Sequence, residues 1–126
     1  MIRSLLGSLA LLGCTHQQTF EERAQELEAE APIDCGTVTL TCGTEQQVVA
    51  IVECVRGHLA AGTGARALRP YIDRETYVYA IEGELFVLDR TFDEDLVWRW
   101  SERRCRRVAW HEHSATCWGF EPFECD

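Results

Sequence analysis

At 126 residues the chain has room for one domain with a modest core and not for two ordinary ones. Twelve basic residues, all arginine, against 21 acidic ones give a net charge of −9, which excludes the phosphate attraction that non-specific DNA or RNA binding needs. Seven cysteines in so short a chain, without the doubled CxxC spacing of a zinc ribbon, point to an oxidising compartment rather than a reducing cytosol.

Arg3 supplies a positive start, and an apolar run from Leu5 to Leu12 follows it before Gly13 and Cys14. That run is too short to span a bilayer, which takes roughly 20 apolar residues, so residues 1–13 read as a cleavable signal peptide. Leu11-Leu12-Gly13-Cys14 resembles the lipobox of bacterial lipoproteins, in which a small residue precedes the cysteine that receives a diacylglycerol. The resemblance implies that Cys14 is the lipid acceptor and that the mature chain is tethered to a membrane on the extracytoplasmic side of a bacterial cell envelope. Thr15, in place of an aspartate, leans by the same resemblance towards an outer membrane. An ordinary secretory signal is the alternative, but it leaves an odd thiol. Lipidation removes Cys14 and leaves six cysteines: Cys35, Cys42, Cys54, Cys105, Cys117 and Cys125.

Residues 14–34 join the lipid to the first of these six. Glu21, Glu22, Glu26, Glu28, Glu30 and Asp34, with few large apolar side chains, read as a solvated acidic tether; a helix over 20–31, ending at Pro32, is the other reading. The domain proper is then expected over 35–126. Thr44 and Gln47 fit a capping box, and Val48, Val52, Val55 and Leu59, with Ile51 beside them, form an apolar stripe of helical period that Gly62 and Gly64 end. From residue 66 the period falls to two. A strand over 66–72 is expected at a sheet edge because of Pro70. Residues 76–81, 85–89 and 96–101 then make an antiparallel meander, turning at Glu82-Gly83-Glu84 and at Asp93-Glu94-Asp95 and placing Trp98 and Trp100 on one face.

One helix packed on such a meander, stapled by disulfides, is an α+β domain. The connection order resembles that of cystatin-like inhibitors, although the hairpin region lacks Gln-x-Val-x-Gly, so protease inhibition is not implied. The layout favours disulfides Cys35–Cys54, Cys42–Cys105 and Cys117–Cys125.

Candidates for chemistry are sparse. His111 and His113 share one face of an extended segment, with Cys117 nearby, which is the pattern of a zinc site or of an enzyme built on one; the helical His-Glu-x-x-His spacing is absent. Arg103, Arg104, Arg106 and Arg107, with Arg99, form a basic cluster suited to anionic headgroups or carboxylates, or to balancing acidic residues of the same chain. Of the four tryptophans, at least two are expected in the core. After the signal peptide only Ser101 and Ser114 remain as serines, neither within a nucleophile elbow, and no cofactor motif is present. The expectation is a membrane-tethered, non-enzymatic binding or structural module, whose partner is an envelope or extracellular protein.

Overall fold

The computed structural model describes residues 17–38, 45–70, 73–110 and 123–125. Its first element corrects the tether. Helix α1, Phe20–Glu30, begins at a capping box: Thr19 Oγ1 accepts from the Glu22 N–H at 3.2 Å, and the Glu22 carboxylate accepts from the Thr19 N–H at 3.4 Å. Phe20 and Leu27 are buried, as is Ala31 just beyond the helix, with Ala24 half-buried beside them, so one narrow apolar stripe faces inward while the glutamates face water. The domain therefore starts before Cys35, and the acidic residues are the wet side of a docked helix.

Strand β1, Ile33–Thr37, leads to helix α2, Glu45–Ala61, which leads to strand β2, Ala65–Pro70. β1 and β2 pair in parallel, so α2 is the crossover that a parallel pair requires. Val48, Ile51 and Val55 are buried and Val52 and Leu59 half-buried, as the stripe predicts. The helix ends in a Schellman turn: Gly62, at φ 73°, donates to the Leu59 carbonyl and Thr63 to the His58 carbonyl. Cys54 is bonded to Cys35 with their Cα atoms 5.7 Å apart, tying α2 to β1 as expected.

Strands β3 (Arg74–Ile81), β4 (Glu84–Phe92) and β5 (Trp98–Cys105) complete a five-stranded sheet in the order β1-β2-β3-β4-β5, antiparallel except for its first pair. Glu82 and Gly83 both have positive φ, which matches the sheet's twist in a two-residue hairpin. Contrary to expectation, β2 lies inside the sheet. Pro70 is tolerated because β1 pairs only with Ala65 to Leu68, so the missing N–H falls beyond the end of that ladder.

The architecture is α+β, and among the described residues it carries two helices rather than one. Tyr77, Tyr79 and Ile81 of β3 and Phe86 and Leu88 of β4 pack with α1 on one face. Val78, Ala80, Leu85, Val87 and Cys105 pack with Val55 of α2 on the other. A helix on each face departs from the single wrapped helix of the cystatin-like order. Strands β6 (Val108–Trp110) and β7 (Phe123–Cys125) form a small separate ribbon. Cys105 at the end of β5 is bonded to Cys125 of that ribbon, Cα atoms 4.9 Å apart. This overturns the expected Cys42–Cys105 and Cys117–Cys125 pairs: the chain bends at residues 106 and 107 into β6, whose pairing partner β7 delivers Cys125 to Cys105.

Candidate functional site

The basic cluster is largely spoken for by acidic side chains of its own sheet. Arg103 lies 3.4 Å from Asp89, whose carboxylate also accepts from Arg74 at 3.0 Å and from Thr76 at 2.9 Å. The Arg104 Nε donates to Glu84 at 2.6 Å, and Arg99 pairs with Asp93. Arg106 and Arg107 are exposed in the bend between β5 and β6. Trp100 packs against α1 and Trp110 against the α2-side core, both only half-buried, and Trp98 is exposed, so among the described residues the indoles border the core rather than fill it as expected. Cys14, Cys42, Thr44, His111, His113, Ser114, Cys117 and Trp118 lie outside the described residues. Among the described residues no group of three metal-ligating side chains is assembled.

A groove of about 460 Å³ runs between α1 and strands β1, β2 and β3. It exists because α1 packs over β3 and β4, as its contacts with Tyr79, Ile81 and Leu88 show, and meets β2 only near Gly64 and Arg66. Phe20 and Ala24 form one wall, and Leu68, Tyr77 and Tyr79 the floor. Register places Tyr77 opposite Leu68 and Tyr79 opposite Arg66, so all four belong to one face of the sheet. Phe20 and Tyr77 have ring centroids 5.1 Å apart.

Charge is concentrated on the rim. Glu21 and Glu28 come from α1 and Asp34 from β1, with Arg66 as the single cation among the lining residues. Arg66 is committed locally: it donates to the Ala31 carbonyl at 2.8 Å and lies 3.6 Å from Glu28. Asp34 accepts from the Gly36 N–H at 2.9 Å. Burial pushes the Tyr79 phenol up to about 12, aided by the charge of Glu28. Tyr77 is raised further, by burial first and then by its hydrogen bond to Glu75. Both phenols thus stay protonated at neutral pH and do not act as bases; Tyr77 is half-buried at the groove, whereas Tyr79 lies under it, packed against α1. An aromatic floor under a carboxylate rim suits a cation with an apolar stem, such as an arginine or lysine side chain.

Comparison with protein-family models, curated proteins and solved structures finds no match. The groove therefore stands on its geometry alone. Sequence reading overlooks it for a physical reason: its walls come from a helix read as tether and from a parallel strand with no alternation. The signals that point to it are the Tyr77-x-Tyr79 spacing, which puts both rings on one face, and the Thr19-x-x-Glu22 box.

Proposed function

We propose that this protein is an extracytoplasmic lipoprotein of the bacterial envelope, anchored through an acylated Cys14, and that its domain is a non-enzymatic binding module. The groove holds a basic segment of an envelope or extracellular protein. The observation that carries the binding role is the groove itself, with Glu21, Glu28 and Asp34 set around Tyr77 and Tyr79. The lipobox-like Leu11-Leu12-Gly13-Cys14 and the disulfides support the location, since structural disulfides persist in oxidising compartments.

Two measurements test this reading. Intact mass of the chain isolated from a bacterial envelope is expected to report a polypeptide that starts at Cys14 and carries acyl chains; a chain retaining Met1 and lacking lipid refutes the anchoring. For the groove, titration with short arginine-containing peptides is expected to show binding that weakens with salt. Each exposed carboxylate contributes about 0.2–1 kcal/mol, so Glu28→Gln and Asp34→Asn each weaken the affinity by up to about fivefold. An arginine-containing peptide that binds no better than an uncharged one, or equally well to the wild type and to both variants, refutes the assignment.

A further inference from the structure

The connection between β4 and β5, together with the first residue of β5, displays apolar side chains at one end of the sheet: Leu96 is 75% exposed, Val97 49% and Trp98 42%. The turn holds them out. The Asp93 N–H donates to the Val97 carbonyl at 3.1 Å, and its own carbonyl accepts from Leu96 at 3.0 Å. The Asp93 carboxylate accepts from the N–H groups of Asp95 and Val97 and pairs with Arg99. Leu96 is kept at φ 61°, in the left-handed region that side chains other than glycine, asparagine and aspartate rarely enter. The hairpin calls for a left-handed residue at this position, where glycine is usual; here it is a leucine, and an exposed one.

The same end of the sheet is where the chain enters the domain. Phe20, first residue of α1, has its ring 6.2 Å from that of Trp100. The Arg90 guanidinium lies 4.5 Å from the ring of Phe20 and 4.5 Å from that of Trp98. Cys14 precedes Phe20 by only six residues. At about 3.5 Å per residue, even a fully extended chain keeps the start of α1 within roughly 20 Å of the Cys14 sulfur.

We propose that Leu96, Val97 and Trp98 form a second, non-covalent foot that enters the headgroup region of the membrane carrying the lipid of Cys14. This rests on the lipoprotein reading, because only the short tether brings that end of the sheet to the bilayer. Indole rings favour the membrane interface, and aliphatic side chains beside them gain by leaving water. Asp93, Glu94 and Asp95 in the same turn outnumber Arg99, while Arg90 beside Trp98 is paired with Glu75 and Glu21, so the foot fits a zwitterionic surface and is set against an anionic one.

The test uses the full mature chain, acylated, in vesicles of phosphatidylcholine brominated near the top of the acyl chains. Brominated lipid is expected to quench a share of the tryptophan emission that is missing in Trp98→Phe. Leu96→Glu with Val97→Glu abolishes that share while the protein remains vesicle-bound, and adding phosphatidylglycerol reduces it. Leu96→Trp provides an exposed second reporter should Trp98 emit weakly. An acylated, vesicle-bound protein in which neither Trp98 nor the Leu96→Trp reporter is quenched overturns the foot and leaves the anchor standing. A chain whose intact mass shows no acyl group on Cys14 overturns both.

Discussion

Arg90 shows how one side chain fastens α1 to the sheet. Its guanidinium is held between the rings of Phe20 and Trp98, bonds to Glu75 and reaches Glu21 at 3.4 Å, while its Nε is buried without a hydrogen-bond partner. Ring faces on two sides and a carboxylate at the tip offset that unpaired donor. Arg90→Ala is expected to cost about 2 kcal/mol in chemical denaturation, since a desolvated cation–π contact contributes up to about 2 and the lost stem adds packing. Arg90→Lys is expected to recover less than half, because an ammonium cannot stack between two rings. The neighbouring Glu75 sets a pH dependence. Burial pushes its carboxyl up, but the hydrogen bonds from Tyr77 and Arg90 outweigh burial and hold it below its ordinary 4.5. A carboxyl lowered in the folded state stabilises above its unfolded value and loses that stabilisation as pH falls through the folded one. Tm is therefore expected to be flat from about pH 7 to about pH 5 and to decline below, with a shallower decline in Glu75→Gln. An equal slope in both proteins would assign the acid sensitivity elsewhere.

At the scale of elements, what the sequence makes legible depends on how the apolar period is carried. α2 is legible because its stripe is built from valine, isoleucine and leucine, and the meander because aromatic and branched residues alternate between recognisable turns. In α1 the same spacing is present at positions 20, 24, 27 and 31, but two of the four are alanines set among glutamates. Composition there outweighs period, and what reverses the balance is the sheet, on which Phe20 and Leu27 find Tyr79, Ile81 and Leu88. β1 is illegible for another reason: Asp34 and Gly36 break any alternation, and its pairing with β2 exists only once α2 has crossed over. The box at Thr19 makes α1 testable. Thr19→Ala is expected to cost about 1 kcal/mol of global stability in urea unfolding, the usual contribution of an N-cap side chain. No change would mean that α1 frays independently of the core. Gly64 tests how α1 meets β2, because a Cβ there would stand 2.0 Å from the Glu30 carbonyl oxygen. That contact is with backbone, which cannot swing away, so Gly64→Ala is expected to destabilise by about 1–3 kcal/mol, as overpacking does.

At the scale of the molecule, the two disulfides among the described residues divide the labour between layers. Cys35–Cys54 fixes the crossover helix to the edge strand it leaves, and Cys105–Cys125 fixes the small ribbon to the last strand of the main sheet. The first was legible because its partners flank one short connection. The second was not, because only the register of β6 with β7, which sets Val108 opposite Cys125, brings that cysteine back to β5. Each closes a loop, with sequence separations of 19 and 20, and loops near that size contribute about 3 kcal/mol in the chain-entropy account. Two such terms together, about 6 kcal/mol, exceed the whole stability of a small domain at its low end, about 5 kcal/mol, so reduction of the folded protein is expected to abolish its cooperative melt. Removing Cys105 and Cys125 together as serines is expected to lower stability by about 2–5 kcal/mol. Peptide mapping without reduction provides the decisive check: it should recover Cys35 linked to Cys54 and Cys105 linked to Cys125. If Cys14 is acylated, as proposed, parity leaves Cys42 and Cys117 for one another. A mature chain that yields a free thiol at either position would break that parity, and with it the argument that one cysteine has been withdrawn for acylation.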